Sequence, residues 1–187
     1  MTWTGHIVRG LLDTPENLYY RSVYLDTVQL ARIIMAFEEV DEYKVSSTGH
    51  SQGGALSLAC AALEPRIAKV AAQCPFLCDF KRVWELDLLK DAYEELSYFL
   101  RRFDPRHERI EDIWTTLGYI DIRHLAGRIQ AESLFVVGLM DTVCPPSTQF
   151  SAYNAVSAKK SILLYPEFRH EMYFGAADNV AKFLSWT

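Results

Sequence analysis

A serine between two glycines is the feature of this sequence that could do chemistry. Residues 49–53 read Gly-His-Ser-Gln-Gly and follow a β-tolerant run over 43–48. The pattern G-x-S-x-G is typical of a nucleophile elbow, a sharp strand-to-helix turn that lifts a serine hydroxyl out of the backbone. Because such a turn needs strained backbone angles and close contact between strand and helix, neither flanking position is expected to accept a bulky side chain. The motif predicts Ser51 as the nucleophile of an acyl transfer.

The surroundings of this motif favour the elbow over a chance match, in which Ser51 would be an ordinary small residue at a helix N-terminus. Residues 55–63 are small and apolar on nearly all sides, which predicts a buried helix, and Pro65 would end it. A strand, a turn and a buried helix therefore follow one another in the order that the motif requires.

An activated serine needs a base, and the base needs an acid to orient it. In α/β-hydrolases the three residues follow the chain order serine, acid, histidine, with the acid after a late strand and the histidine after the last one. The run 133–138 predicts a buried strand with Asp141 just beyond it, and the run 161–165 predicts a further strand before His170. The sequence therefore predicts a triad of Ser51, Asp141 and His170.

The other histidines and acids fit these roles less well. His50 adjoins the serine, but neighbours on a tight turn point apart, so we expect a packing residue. His124 is expected in a partly exposed helix and His107 in a solvated loop, while the sequence suggests no role for His6. The competing acids, none of which follows a late buried strand, are Asp26, Asp79 and Asp121.

The element pattern predicts one α/β domain spanning residues 1–187. Four strands are expected in alternation with helices, over 43–48, 67–72, 133–138 and 161–165. Helices are expected over 19–40 after an initial loop, over 55–63 and 120–129, after the prolines at 145–146, and over 172–186. Strands that alternate with helices predict a parallel sheet between two helical layers, which is the three-layer α/β-hydrolase sandwich.

One segment, 81–113, belongs to no strand–helix repeat. Its pattern is helical and rich in aromatic and charged residues, which suggests a helical cap inserted over the site. A plain pair of surface helices is an equally good interpretation. The inner face of a cap would consist of apolar residues: Trp84, Leu88, Tyr93, Leu96, Phe99 and Leu100.

Composition restricts the partners and the compartment. The 187 residues carry a net charge of −5, which argues against a nucleic-acid partner. No apolar run reaches the length of a membrane span, so no membrane partner is expected. The four cysteines lack metal-ligand spacing. We therefore expect no metal and no cofactor, and buried thiols in a reducing compartment, the cytoplasm.

These motifs together resemble the acetyl xylan esterase and cephalosporin C deacetylase family, carbohydrate esterase family seven of the α/β-hydrolases. The matching residues are Gly-His-Ser-Gln-Gly-Gly at 49–54, Gly-Leu-Met-Asp at 138–141, Pro-Pro-Ser-Thr at 145–148 and His-Glu at 170–171, with shorter matches at 9–10, 24–26 and 75–77. The resemblance covers nearly the whole chain. It implies an esterase that removes acetyl groups from small acetylated sugars or cephalosporin-like esters, and a homo-oligomer.

The resemblance also implies roles for individual residues. Ser51 would be the nucleophile, Asp141 and His170 its relay, and the backbone N–H of Gln52 one donor of the oxyanion hole. Family members carry a further N-terminal segment of several strands, which supplies an Arg-Gly-Gln motif and a tyrosine whose N–H completes that hole. This sequence lacks that segment, so we expect weak turnover and an unpaired edge on the elbow strand that promotes self-association.

Three functions remain open on the sequence. The first is a deacetylase of small esters, and the second is a catalytically weak or inactive remnant that serves only as a structural or assembly subunit. The third is a peptidase or a hydrolase of larger acyl groups. The intact triad favours the first and third, and the missing segment favours the second. The combination of Ser-Gln-Gly with His-Glu favours the first over the third.

Overall fold

The computed structural model describes residues 6–186, and within them a single parallel sheet runs in the order β1-β2-β3-β4. The strands are β1 Ser46–His50, β2 Lys69–Gln73, β3 Glu132–Gly138 and β4 Lys160–Tyr165. Their register aligns Gly49 with Ala72, Ala72 with Phe135, and Phe135 with Ile162. Because all four strands are parallel, their carboxyl ends meet along one edge, where ligand sites of α/β sheets normally lie.

Helices cover both faces of this sheet. They are α1 Tyr19–Met35, α2 Gln52–Leu63, α3 Phe80–Glu85, α4 Glu94–Phe103, α5 Ile110–Leu117, α6 Ile122–Leu125, α7 Pro146–Ala155 and α8 Ala176–Leu184. Alternate strand residues face opposite sides: Val70 and Phe135 pack in the larger core with α2, whereas Ala71 and Leu134 pack in a smaller core with α8. The predicted α/β class with three layers is therefore confirmed.

Several predicted boundaries differ by a few residues from those in the structure, and three of these differences have a clear local reason. The first long helix ends at Met35 rather than at residue 40, because Glu38 and Glu39 would place negative charge at the negative end of the helix. Tyr43 lies in a short 3₁₀ turn instead of β1, because the Asp41 side chain accepts its N–H. The last helix begins at Ala176, after Gly175 in the left-handed conformation with φ of 71°. The first five residues of the predicted initial loop lie outside the described residues.

The segment predicted as a cap forms α3, α4 and α5, joined by loops. The six apolar residues expected on its inner face all pack against the larger core, four of them buried and Trp84 and Leu88 half-buried. The segment is therefore anchored through these side chains. Its role as a cap, and the assignment of 1–187 to one domain, stay predictions.

Strand β1 has a free edge in the described part of the chain, where it pairs only with β2. A groove of about 460 Å³ lies beside it and is lined mainly by α1, β1 and α2. Leucine and isoleucine side chains of α1 line this groove while remaining exposed, with Leu30 at 59% and Ile34 at 37%. Among residues 6–186 no helix is both long and apolar enough to cross a membrane.

A buried carboxylate fastens α1 to the end of α2. Glu64 follows α2 directly, and its side chain is only 3% exposed. It accepts hydrogen bonds from Arg66 Nε at 2.9 Å and from Arg32 Nε at 2.7 Å. These hydrogen bonds lower the pKa of Glu64 from its ordinary 4.5 to about 2, and the bonds from Arg66 have the largest effect.

We predict that Glu64→Gln destabilises the fold at pH 7 by about 1.5–3 kcal/mol, because hydrogen bonds to a charged group are lost. A carboxyl whose pKa is lower in the folded state stabilises the fold above pH 4.5. That contribution is lost as the pH falls towards 2, so urea titrations of the two proteins should converge there. Glu42→Gln is the matched control, because Glu42 bonds Arg66 on the exposed side and should matter by less than about 1 kcal/mol. An equal loss at pH 7 and pH 2 would contradict the assignment.

Candidate active site

The backbone of Ser51 is strained at the junction of β1 and α2. Its φ of 54° and ψ of −116° lie outside the regions that non-glycine residues normally occupy. The neighbouring chain holds it there: Ser51 N–H donates to the Gln73 carbonyl at 2.8 Å, and the Ser51 carbonyl accepts from Phe76 N at 3.1 Å. The sharp turn that the motif predicts is therefore present, and it is supported by the end of β2 and the residues after it.

Close packing excludes a side chain at Gly49 and leaves little room for one at Gly54. A Cβ at Gly49 would collide with the backbone of Gly53, and one at Gly54 would lie 3.0 Å from the Gln73 carbonyl oxygen. At Gly53, in contrast, an added Cβ meets no atom within 4 Å. The expectation that both glycines flanking the serine exclude a side chain is thus wrong at Gly53. What matters at Gly53 is its backbone, because Gly49 packs against it.

His170 lies within hydrogen-bonding distance of both other residues of the predicted triad. His170 Nε2 is 2.9 Å from Ser51 Oγ, and His170 Nδ1 is 2.8 Å from Asp141 Oδ2. The second carboxylate oxygen, Asp141 Oδ1, accepts the N–H groups of Val143 and Cys144, both at 2.8 Å. Because an ionised carboxylate can only accept, Nδ1 carries a proton and Nε2 is left to accept the serine hydroxyl. This arrangement can remove a proton from Ser51.

The loops that carry the acid and the histidine are joined beyond the strand ends. Leu139 N–H donates to the Tyr165 carbonyl and Met140 N–H to the Phe168 carbonyl, each at 3.0 Å. These bonds continue the pairing of β3 with β4. Gly138 permits the contact, since a Cβ there would lie 2.6 Å from the Phe168 carbonyl oxygen. The side-by-side loops bring Asp141 and His170 together although 29 residues separate them in the chain.

Gln52 is the first residue of α2, directly after the serine. Its N–H is one of the four that an α-helix leaves without an intrahelical acceptor, and the helix dipole makes this end partly positive. The predicted oxyanion donor therefore lies at a helix N-terminus beside Ser51.

The competing residues lie elsewhere or have structural roles, with one exception. His50 packs against His170: the two ring centroids are 5.2 Å apart, and burial lowers the pKa of His50. His50 is thus a packing residue, as expected. However, His50 and Ser51 were expected to point apart, and both contact His170. His124 and His107 are exposed, and His6 stacks on Tyr19 at 4.4 Å.

The competing acids also have identifiable surroundings. Asp26 is exposed. Asp121 is buried and accepts three backbone N–H groups, from Asp79 at 2.8 Å, Phe80 at 3.0 Å and Arg123 at 2.9 Å. Burial raises its pKa to about 6, although those donors lower it. Asp121 therefore anchors the starts of α3 and α6, and Asp79 pairs with Arg123 at 3.1 Å.

Sequence reasoning missed three residues near the site. The Cys144 side chain lies beside the Ser51 hydroxyl. Burial raises the pKa of the Cys144 thiol well above its ordinary value, and the hydrogen bond with Ser51 lowers it only in part. The Cys74 thiol meets the hydroxyl of Tyr173, three residues after His170. Cysteines on apolar segments were interpreted only as buried thiols, and no sequence signal marks their neighbours in space.

One donor set could bind a metal ion. Single ligand atoms of Cys74, Asp141 and His170 lie within 4.8 Å of one another. However, the carboxylate and the imidazole are bonded to each other, and burial raises the pKa of the Cys74 thiol to about 12. Because a metal needs the thiolate, these groups are better suited to proton transfer than to metal binding.

Comparison with known proteins identifies the family. The model of the acetyl xylan esterase family AXE1 matches residues 1–186. The chain belongs to this family. It is 32% identical over 166 residues to acetyl esterase Axe7A of Xylanibacter ruminicola, which covers 89% of this chain and 36% of that protein. The resemblance stated from the motifs is confirmed.

Solved structures of the family superimpose closely. Acetyl xylan esterase 1 from Thermoanaerobacterium sp. JW/SL YS485 has a TM-score of 0.96 at 54% identity, and the acetyl xylan esterase from Paenibacillus sp. R4 has 0.93 at 36%. Each match covers 98% of this chain and 58% of the solved chain. Solved peptidases also match, but at 20% identity or less, so they show the shared fold alone. The α/β-hydrolase fold is confirmed.

The glycines of the family motif offer a matched pair of variants. We predict that Gly49→Ala destabilises the chain by about 1–3 kcal/mol, because the added methyl has to force strand and helix apart. Gly53→Ala should be neutral or stabilising by up to about 1 kcal/mol, since its methyl has room and alanine favours a helix. Thermal unfolding of both variants measures this difference. Equal effects would mean that the close contact at Gly49 is absent in solution.

Proposed function

We propose that this chain carries the catalytic triad of a serine carboxylic-ester hydrolase. The observation that supports this function is the continuous hydrogen-bond chain from Asp141 through His170 to Ser51. It ends on a strained turn beside the N-terminus of α2. Membership of the acetyl xylan esterase family points to the same chemistry.

The first half of the proposed reaction acylates the serine. His170 Nε2 takes the hydroxyl proton while Ser51 Oγ attacks the carbonyl carbon of an acetyl ester. Asp141 holds the imidazole in the required tautomer and stabilises its cationic form. Its own orientation is maintained by the N–H groups of Val143 and Cys144. The protonated His170 then gives its proton to the departing alcohol, which leaves an acetyl-serine.

The second half releases acetate. Water attacks the acetyl carbonyl carbon while His170 accepts its proton, and the proton returns to Ser51 Oγ as the acyl bond breaks. In both halves, negative charge develops on the carbonyl oxygen, and the Gln52 N–H is the proposed donor to it. Loss of one such donor lowers turnover by about a hundred- to a thousandfold.

The proposed substrates are small acetylated sugars or cephalosporin-like acetyl esters. The relatives that match most of this chain support an acetyl group, because they are named as acetyl and acetyl xylan esterases. The peptidase alternative has only a shared fold in its favour. We also propose a cytoplasmic location, since all four cysteines are buried free thiols.

Assembly into a homo-oligomer is a further part of this proposal. Among residues 6–186, β1 pairs on one side only, so its other edge presents backbone groups for pairing, and apolar α1 side chains are exposed beside the groove. A second copy of the chain is the proposed occupant. If the triad were inert in a folded chain, this surface would favour the alternative of a subunit that acts only in assembly.

We predict that a fluorophosphonate probe labels Ser51, because its hydroxyl is activated by the base. Peptide mass spectrometry should find the label on the peptide that contains residue 51, and Ser51→Ala should abolish it. Asp141→Asn should slow labelling by about a thousandfold or more, because the imidazole is then held in the wrong tautomer.

The matched control for this experiment is Ser46→Ala, since Ser46 lies at the far end of β1 from Ser51 and its side-chain hydroxyl has no hydrogen-bond partner in the described part of the chain. It should label at the wild-type rate. Labelling of another serine in a folded sample, with Ser51 untouched, would refute the proposed nucleophile and support the assembly-only alternative.

We predict that the purified chain self-associates through the β1 edge and its groove. Light scattering should show a mass above 21.4 kDa at micromolar concentration, and Leu30→Glu should shift it towards the monomer. Leu164→Glu is the matched control, because Leu164 is 46% exposed on β4 at the opposite edge of the sheet. A monodisperse monomer for the unmutated chain, or equal effects of both variants, would contradict this interface.

A further inference from the structure

Tyr173 is a buried side chain directly below the loop that carries His170. It lies between β4 and α8 and is 5% exposed, whereas its neighbours Met172 and Phe174 are 67% and 88% exposed. Its hydroxyl donates to the Arg169 carbonyl at 3.1 Å. Arg169 directly precedes His170, so this bond acts on the peptide group that leads into the imidazole-bearing residue.

The same hydroxyl reaches the ends of two strands. On one side it meets the thiol of Cys74, the residue that follows β2. On the other it lies against Gly138, the last residue of β3, where a Cβ would be 2.5 Å from the hydroxyl oxygen and 2.8 Å from the Arg169 carbonyl oxygen. One oxygen atom therefore contacts β2, β3 and the histidine loop together.

Cys74 is held firmly enough to serve as an anchor. It is completely buried, its φ of 43° is unusual for a non-glycine residue, and its N–H donates to the Val136 carbonyl at 2.9 Å. Burial raises the pKa of the thiol to about 12 and raises that of the Tyr173 hydroxyl as well. Both groups keep their protons at neutral pH. The thiol can therefore donate to the phenol oxygen while the phenol donates to Arg169.

The histidine loop has few other attachments. Residues 166, 167, 169, 171 and 172 are exposed. Besides the bonds of His170 itself and of Tyr173, the described bonds near it are one backbone bond to the loop after β3, from Met140 N–H to the Phe168 carbonyl, and a long contact of 3.4 Å between His50 Nε2 and the Glu171 carbonyl. A third bond, from Arg169 N–H to the Glu171 carboxylate at 3.1 Å, stays within the loop and does not attach it to the sheet. Yet His170 has to meet Ser51 and Asp141 at once. Displacing a catalytic group by about 1 Å can cost a hundredfold in rate.

We propose that Tyr173 is a positioning residue for His170, acting through the hydrogen bonds of its hydroxyl to Arg169 and Cys74. This inference rests on the proposed function, because its consequence is the reactivity of Ser51. The hydroxyl holds the loop against the edge of the sheet in the position from which the imidazole reaches both Ser51 and Asp141.

A purely structural role for the tyrosine ring can be separated from this one. The ring stacks on Tyr165 with centroids 4.6 Å apart and meets Phe168 edge-on at 5.4 Å. Phenylalanine keeps those contacts and removes only the hydroxyl. Tyr165→Phe is the matched control, because it loses a hydroxyl that donates to the exposed Phe174 carbonyl at 3.2 Å, away from the residue before His170.

The first measurement is the rate at which a fluorophosphonate labels Ser51. Tyr173→Phe should label about ten- to a hundredfold more slowly than the unmutated chain, and Tyr165→Phe within about twofold of it. Cys74→Ser keeps a donor to the phenol and should stay closer to the unmutated rate than Cys74→Ala. Thermal unfolding identifies any variant that does not fold.

The second measurement does not depend on reactivity. The His170 Nδ1 proton, bonded to Asp141, should give a downfield proton NMR resonance in the unmutated chain. Tyr173→Phe should shift or broaden this signal, and Tyr165→Phe should not. If Ser51 of the unmutated chain does not react, the proposed function fails, while the resonance still tests the positioning role. Where Ser51 reacts, the inference is overturned if Tyr173→Phe changes neither the resonance nor the labelling rate. Where Ser51 does not react, it is overturned if Tyr173→Phe leaves the resonance unchanged.

Discussion

The strained backbone of Ser51 is the constraint on which the site depends. At φ of 54° and ψ of −116°, the residue can persist only if the surrounding structure fixes it in place. The hydrogen bond to Gln73 and the contact of Gly49 with the backbone of Gly53 do this, and both require β1, β2 and α2 to approach closely. The small apolar residues of α2 make that approach possible. The small residues of the elbow helix and the strained turn that places the Ser51 hydroxyl beside His170 are therefore two results of the same packing.

The parallel sheet turns this local strain into a site. Ser51, Asp141 and His170 follow three different strands, and parallel strands end at a common edge. Backbone bonds that continue beyond β3 and β4 then close the remaining gap between the acid and the histidine. No long-range electrostatic force is needed to assemble the three side chains, because the topology places them within reach and short hydrogen bonds complete the arrangement.

The sequence was sufficient to predict the features that depend on the order of motifs along the chain and on the spacing of apolar residues. The motif, the late strands and the residues that follow them were sufficient for the positions of Ser51, Asp141 and His170 in the fold and for the three layers. Contacts between side chains distant in sequence could not be predicted. The meeting of Cys74 with Tyr173 joins residues 99 positions apart, and neither residue belongs to a motif. The room at Gly53 was also invisible, because a motif shows which residues occur but not which atom each one contacts.

Strand β2 contributes no member of the proposed triad, yet it supports both ends of it. The carbonyl of Gln73 holds the backbone of Ser51, and the next residue, Cys74, meets the tyrosine under the histidine loop. Gln73 ends β2 and Cys74 directly follows it, so the two adjacent residues move almost as one body. A fluctuation of β2 relative to the helices would therefore carry the serine and the histidine in the same direction. The distance between Ser51 and His170 would change far less than the position of either residue. Thermal motion of the sheet should therefore disturb the geometry of the site only slightly.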